Sequence, residues 1–238
     1  NMMVEVANIF FSREYLEEAQ LYYRLALHID PQNNDALFLM SNVLEQKERF
    51  DEAAVLYDSI QPNSRYYWKA RISRALLSDK QGNTEEAKLA LLDMAAERPD
   101  EIEAYLNLGD LMIGKDRFAE AAEYYTHSID RIKETLPAHW AIYYARGISF
   151  ERQKIWDKAE ADFKKSLELK PEQPDVMNYM AYSWLDQNKN LEEAEKLLRI
   201  AVEKRPEDSH ILDSYGWAMF KLQRYEEAVI FLEKANLI

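Results

Sequence analysis

Hydrophobic and polar positions along the chain repeat with a period of about 34 residues. An alanine that follows a pair of mostly acidic or polar residues recurs at successive spacings of 34, 34, 34, 38, 35 and 34 residues. Acidic residues at this point belong in the first turn of a helix, where the helix dipole favours negative charge. We call these residues the marker alanines, and they are Ala19, Ala53, Ala87, Ala121, Ala159, Ala194 and Ala228.

Each repeat has a second small residue about a dozen positions before its marker and a large apolar residue four positions after it. The small residues are Ala7, Ser41, Ala75, Gly109, Gly147, Ala181 and Gly216. The large residues are Tyr23, Tyr57, Leu91, Tyr125, Phe163, Leu198 and Leu232. The pattern predicts two amphipathic helices per repeat, and the small residues mark where their backbones approach closely. One pair cannot bury its own apolar face, so the pairs must stack on their neighbours.

Four of the units are closed by a proline, at Pro31, Pro99, Pro171 and Pro206. This order of small, large apolar and closing proline positions resembles the tetratricopeptide repeat, and the resemblance covers the whole chain. It implies an all-α fold, a right-handed α-α superhelical solenoid of about seven helix-turn-helix units. We expect one domain over residues 1–238, as a piece of a longer protein, because a helical pattern opens directly at Met2. The expected units are about 1–33, 34–67, 68–101, 102–139, 140–173, 174–208 and 209–238.

Two prolines depart from the period. Pro62 comes early in the second unit, so we expect a short second helix there. Pro137 comes late in the fourth unit, and we expect a longer second helix before it. The alternative at Pro137 is that a loop absorbs the extra residues.

Composition narrows the class of protein. Only 5 Gly and 7 Pro occur in 238 residues, which favours long helices over a turn-rich β fold. The absence of cysteine excludes disulfides and thiolate metal sites. A net charge of −13 should repel phosphate backbones and anionic lipids. We therefore expect no nucleic-acid partner, and no apolar run is long enough for direct membrane insertion of this segment.

Candidate chemistry is sparse. The four histidines fall in different units, and the best metal pair, Glu123 with His127, is short of the three or four ligands that a site needs. The acidic pairs recur in nearly every unit, so they mark helix starts rather than catalytic carboxylates. No glycine-rich phosphate loop or nucleophile elbow is present in the sequence. We expect no enzyme activity, no cofactor and no metal.

The tetratricopeptide resemblance implies that the first helix of each pair lines a concave groove. Positions one after and three before the small residue share one side of that helix, and a neighbouring row lies beside them. Aromatic side chains give contact area at low entropic cost, and amides pair with both groups of a peptide backbone. For each aromatic residue, packing between helices is an open alternative. The candidate partner-binding residues are Asn42, Asn107, Tyr144, Asn178, Tyr179, Tyr182 and Trp217.

These features indicate a non-enzymatic scaffold or adaptor that binds a peptide segment of a partner protein in the groove. Two alternatives stay open. One is a structural spacer or self-associating subunit, with homo-association through an uncapped C-terminal end that carries Val229 and Leu237. The other is a regulatory repeat arm of an enzyme outside this segment.

The fourth to seventh units further resemble a family of proteobacterial repeat proteins that are often exported or lipid-anchored. This resemblance implies a periplasmic or membrane-tethered parent protein, with a cytoplasmic one as the alternative. The segments that carry it are His139-Trp140, Tyr143 to Gly147, Asn178 to Leu185 and Asp213 to Met219.

Overall fold

The computed structural model describes residues 2–238, and this part of the chain holds fourteen α-helices, one 3-10 turn at Pro137–His139 and no strand. The expected all-α fold class is confirmed. The helices are α1 (Met2–Phe11), α2 (Leu16–Ile29), α3 (Asn34–Gln46), α4 (Phe50–Asp58), α5 (Tyr67–Lys80), α6 (Thr84–Glu97), α7 (Glu103–Ile113), α8 (Phe118–Asp130), α9 (Trp140–Arg152), α10 (Trp156–Leu169), α11 (Pro174–Asp186), α12 (Leu191–Lys204), α13 (Ser209–Lys221) and α14 (Tyr225–Leu237).

The chain divides into two compact units, Asn1–Pro99 and Asp100–Ile238. The first unit contains three hairpins, α1/α2, α3/α4 and α5/α6, and the second contains four, from α7/α8 to α13/α14. Within each unit the second helix of a hairpin packs against the first helix of the next, so an apolar core runs from one hairpin to its neighbour. The expectation that residues 1–238 form a single domain stays a prediction.

The small residues of the first helices lie where a large side chain of the second helix crosses them. A Cβ atom added to Gly109 would lie 2.6 Å from Tyr125 Cε1, and one added to Gly147 would lie 2.7 Å from Phe163 Cε1. At Gly216 the added atom would meet a leucine at 2.7 Å. No real Cβ fits at these distances, so the prediction that the small residues mark the interhelical seam is confirmed.

The turn inside each hairpin contains at least one residue in the left-handed region, and the sixth turn contains two, Asn188 and Asn190. In the third hairpin this residue is Gly82, with φ of 90°. The residue after the left-handed one then donates a backbone hydrogen bond to the residue five positions earlier, as from Arg49 N to Leu44 O at 2.8 Å. This bond closes the first helix in the manner of a Schellman motif. Six turns place a non-glycine residue at this step: Glu14, Glu48, Asp116, Lys154, Asn188 and Gln223.

The two proline departures have different outcomes. Helix α4 has only 9 residues and ends at Asp58, so the expectation of a short second helix before Pro62 is confirmed. Helix α8 has 13 residues and ends at Asp130, so the expectation of a longer helix before Pro137 is wrong. The extra residues form a loop because those at 133–136 are all exposed, with no apolar face to bury.

We expect Gly147→Ala to lower the free energy of unfolding by about 1–3 kcal/mol, although alanine has the higher helix propensity. The reason is that the Phe163 ring is fully buried and cannot move away from the added methyl group. Thermal or urea unfolding of the purified chain measures the effect.

Gly114→Ala is the matched control, because a Cβ there would meet only two backbone oxygens, at 3.5 and 3.6 Å, which are ordinary contacts. It should leave stability unchanged or slightly higher. A Gly147→Ala variant as stable as this control would contradict the close contact with Phe163.

Candidate functional site

Three first helices of the second unit, α9, α11 and α13, line an open cavity of about 410 Å³. Helix α9 contributes Glu151 and Arg152 from its last turn. Helix α11 contributes a polar and aromatic face, and the start of α13 adds two aspartates and a histidine. The helices that form this cavity are the first helices of three successive hairpins. We call it the α9–α11–α13 cavity.

Three of the sequence-predicted residues come together at this cavity, all from α11. Asn178, Tyr179 and Tyr182 line it. Tyr182 is 44% exposed, which leaves its ring available for contact. Tyr179 is half-buried, and its ring packs edge-on against the Tyr144 ring, with the centroids 5.7 Å apart. The α11 face therefore combines one exposed aromatic ring with one anchored ring.

Tyr144 forms part of the wall behind this face. Its ring centroid lies 6.1 Å from that of Trp140 and 6.3 Å from that of Phe163. Burial raises the pKa of the Tyr144 hydroxyl well above its ordinary value, and the neighbouring Tyr179 adds to the shift. The contacts of Tyr144 are thus mostly with other aromatic rings of the core.

Trp217 and Asn107 lie on α13 and α7, and neither lines the cavity. The Trp217 ring stacks on Phe220 with the centroids 5.2 Å apart, and Lys221 Nζ lies 4.8 Å from the Trp217 ring centroid. The Asn107 amide donates from Nδ2 to the backbone oxygen of Glu103 at 2.8 Å, within its own helix. The structure therefore does not group these two residues with Asn178 and Tyr182.

Asn42 belongs to the first unit, where its side-chain oxygen is already engaged. Asn42 Oδ1 accepts a hydrogen bond from Tyr57 Oη at 2.7 Å. The same contact joins Tyr23 to Asn8 at 2.6 Å, and it recurs in the fourth hairpin between Tyr125 and its partner Asp110, also at 2.6 Å. Burial raises the pKa of Tyr23 to about 12.

In each hairpin, the type of the residue that follows the small residue depends on whether the large residue of the second helix is a tyrosine. Where the large residue after the marker is tyrosine, this position holds Asn or Asp, which accepts from the hydroxyl. Where the large residue is Phe or Leu, no hydroxyl needs an acceptor, and the position is apolar or aromatic: Leu76, Ile148, Tyr182 and Trp217. A polar group left unpaired on burial costs about 1–3 kcal/mol, which explains the match. The signal was present in the sequence as a pairing about 15 residues apart, and sequence reasoning missed it.

Two of the four carboxylates in the cavity have partners inside the protein. Asp175 accepts two hydrogen bonds from Arg205, both at 2.8 Å. Asp208 caps α13 by accepting from the backbone N–H groups of His210 and Ile211 at 3.1 and 3.2 Å. These two carboxylates hold the cavity wall in shape.

The other two carboxylates, Glu151 and Asp213, are poorly compensated. The Glu151 side chain is 14% exposed, and its nearest cation is Arg152, whose Nε lies 3.8 Å from Glu151 Oε2. Burial raises the pKa of Glu151, Arg152 partly opposes this, and Asp186 adds to it. Asp213 is exposed and has no hydrogen-bond or ion-pair partner among residues 2–238. Neither residue is among the candidates predicted from the sequence, because the burial of Glu151 and the lack of a partner for Asp213 depend on how the hairpins pack.

The side-chain oxygen of Asn178 is buried and has no hydrogen-bond partner in the described part of the chain. A buried polar atom in this state costs about 1–3 kcal/mol unless something supplies a donor. Rotation of the amide about its last side-chain bond exchanges the oxygen and the NH₂ group. Rotation therefore lets the outer end of the amide present either a donor or an acceptor to a ligand backbone.

Other classes of site have little support in the described residues. Residues 2–238 contain no group of three or more His, Asp or Glu side chains arranged to hold a metal ion. None of the helices α1–α14 is long and apolar enough to cross a membrane. His127, the best metal candidate from the sequence, instead has its ring 5.2 Å from that of Tyr105.

The family model described as tetratricopeptide repeat matches residues 72–131, 129–174 and 180–236. These segments cover more than half of the chain, which therefore belongs to the tetratricopeptide repeat family. A curated relative, the TPR repeat-containing protein PA4667 of Pseudomonas aeruginosa, is 23% identical over 201 residues, which are 84% of this chain and 33% of that protein. The chain thus spans about a third of the length of this relative.

Solved structures share the fold at low sequence identity. The C-terminal part of a TPR repeat-containing protein from Cytophaga hutchinsonii has a TM-score of 0.70 at 15% identity, over 98% of this chain and 94% of that chain. A chain of the APC/C hetero-tetramer Cut9-Hcn1 has a TM-score of 0.66 at 16% identity, over 91% of this chain and 42% of that chain. These likenesses agree with an α-α superhelical repeat fold.

We expect Asn178→Leu to leave the free energy of unfolding unchanged or to raise it by up to about 1 kcal/mol, because it removes a buried oxygen without a partner. Urea unfolding measures this. Asn8→Leu is the contrasting variant, since it takes the acceptor away from the Tyr23 hydroxyl and should lower the free energy of unfolding by about 1 kcal/mol. A clear loss of stability in Asn178→Leu would show that the amide has a partner inside the protein.

We expect Glu151→Gln to become more stable relative to the parent chain as the pH rises from about 4 to about 7. The folded state raises the pKa of Glu151, so it binds this proton more tightly than the unfolded chain does. The contribution of Glu151 to stability is therefore full at low pH and is lost as the pH rises through the interval between the ordinary and the raised value. Urea unfolding of both proteins across this range tests it, and a pH-independent difference would contradict the shift.

Proposed function

We propose that this chain is a protein-binding scaffold whose α9–α11–α13 cavity holds a peptide segment of a partner protein. The observation that carries the proposal is the α11 face of this cavity. It presents the exposed ring of Tyr182 beside the Asn178 amide, which lacks an internal partner. A ligand peptide would bury the ring and supply hydrogen bonds to the amide.

The spacing of the hairpins suits an extended peptide. Neighbouring packed helices lie about 8–10 Å apart, and an extended chain rises about 3.3 Å per residue. Equivalent positions on successive first helices are therefore separated by about three peptide residues. Tyr182 on α11 and Trp217 on α13 occupy such equivalent positions, each following the small residue of its helix. Trp217 does not line the cavity, so in this proposal the peptide extends beyond the cavity along α13, and the two rings contact side chains about three residues apart on it.

Membership of the tetratricopeptide repeat family supports a role in protein–protein interaction, since proteins of this family are generally non-enzymatic scaffolds. One structural neighbour is itself a chain of a hetero-tetramer, Cut9-Hcn1. The spacer and regulatory-arm alternatives do not require a ligand in the α9–α11–α13 cavity. An experiment that reports on cavity occupancy therefore separates them from the scaffold proposal.

We expect the double change Tyr182→Ala and Trp217→Ala to weaken partner binding at least tenfold, about 1.4 kcal/mol, while the chain stays folded. A photo-crosslinking amino acid at position 182 first captures the bound segment in cells, and mass spectrometry identifies it. Calorimetric titration with the identified segment then gives the affinity of each variant, and circular dichroism verifies folding.

The matched control is Tyr15→Ala with Leu89→Ala, two exposed apolar side chains of the first unit. It should bind the segment as tightly as the parent chain. If the double variant at positions 182 and 217 binds the segment as tightly as the parent chain, the binding site lies elsewhere.

A further inference from the structure

The α9–α11–α13 cavity contains more acidic than basic side chains, in addition to its aromatic rings. Its lining includes four carboxylates, from Glu151, Asp175, Asp208 and Asp213, with Arg152 and His210 as the basic side chains. Arg205 reaches Asp175 from α12 and lies 3.6 Å from Asp208. Four carboxylates therefore face two guanidinium groups and one imidazole. The cavity has an excess of negative charge within a chain that already carries −13.

The excess is located at particular residues. Arg205 neutralises Asp175, and the α13 N-terminus occupies Asp208. Glu151 on α9 has its nearest cation, Arg152, at 3.8 Å, and Asp213 on α13 has no partner among residues 2–238. These two carboxylates, on either side of the α11 face, are therefore the least compensated ones. A carboxylate with its side chain only 14% exposed, such as Glu151, loses much of its hydration and gains more from a nearby cation than a surface carboxylate does.

The chemistry of the cavity selects among possible ligands. An acidic peptide or a nucleic acid would bring negative charge towards Glu151 and Asp213, which is unfavourable. A bare metal ion would need three or more converging ligands, and the described residues offer no such group. A lysine or arginine side chain needs only one or two carboxylates, and its apolar stem can lie along the Tyr182 ring.

We propose that the segment bound in the α9–α11–α13 cavity is a cationic peptide whose Lys or Arg side chains pair with Glu151 and Asp213. The inference rests on the proposed function, because it assigns the class of peptide to the same site. Asn178 engages the peptide backbone and Tyr182 contacts the stem of the basic side chain. Arg152 opposes a second positive charge next to Glu151, so the basic residues of the peptide are separated along its sequence.

Selection from a random library tests this assignment without knowledge of the natural partner. Nine-residue random peptides displayed on phage are selected on the immobilised chain and sequenced. Soluble, fluorescein-labelled copies of the selected peptides are then titrated by fluorescence anisotropy. We expect Lys and Arg to be at least twofold more frequent than in the unselected library. We also expect Glu151→Gln with Asp213→Asn to weaken binding of these peptides at least tenfold.

A charge-matched control separates the cavity from the acidity of the whole chain. Asp157→Asn with Glu192→Gln removes two exposed carboxylates from the first turns of α10 and α12, outside the cavity. It should change the affinity less than twofold. If this control weakens binding as much as the cavity variant does, the attraction is general and the assignment to Glu151 and Asp213 is overturned.

The outcomes distinguish the charge assignment from the proposed function. Selected peptides that lose affinity with Tyr182→Ala and Trp217→Ala, yet show no enrichment in Lys and Arg or show enrichment in Asp and Glu, overturn the cationic assignment and leave the groove function standing. Selected peptides that bind this aromatic double variant as tightly as the parent chain overturn both. Circular dichroism of each variant excludes unfolding as the cause.

Discussion

The close approach of a first-helix backbone to a large side chain of the second helix is the contact on which the rest of each unit depends. At Gly147 the Phe163 ring occupies the space that a Cβ atom would need. This contact fixes the separation of the two helices, and so it fixes the surface that the hairpin offers to its neighbours. Hairpins of a repeat array contact mainly their nearest neighbours, so a change in the helix separation of one hairpin alters its interface with the next. The α9–α11–α13 cavity, formed by three successive first helices, inherits its shape from three such seams.

The same crossing residue also determines which residue type can follow the small residue on the first helix. The Tyr57 hydroxyl donates a hydrogen bond to the side-chain oxygen of Asn42. Phe163 has no hydroxyl, so the equivalent position of its hairpin can hold the apolar Ile148. One hydroxyl oxygen in the hairpin interior therefore decides whether a surface position must be a hydrogen-bond acceptor. The fifth, sixth and seventh hairpins all lack this hydroxyl, so their positions are free for apolar and aromatic side chains. These are the hairpins whose first helices line the cavity.

The fold was predictable from the sequence because the period of small and large residues reflects backbone geometry, which every repeat shares. Exposure was not predictable, since it depends on neighbours that differ between repeats. Tyr144 and Tyr182 are the same residue type, yet Tyr144 packs among other rings of the core while Tyr182 is 44% exposed. The negative charge of the cavity was also not predictable, because Glu151 and Asp213 are 62 positions apart and line the same cavity only through hairpin stacking. The wrong expectation for α8 arose because proline marks where a helix cannot continue, but not where it has already ended.

The left-handed residue in each hairpin turn has a consequence for how such a protein can adapt. Six of these turns place Glu, Asp, Lys, Asn or Gln where glycine would be free of steric cost, at roughly 1–3 kcal/mol per site. Only Gly82 avoids this penalty. Replacing these residues with glycine would therefore remove steric strain in turns that do not line the cavity. Glycine could be introduced at one turn after another while the residues that line the cavity stay unchanged.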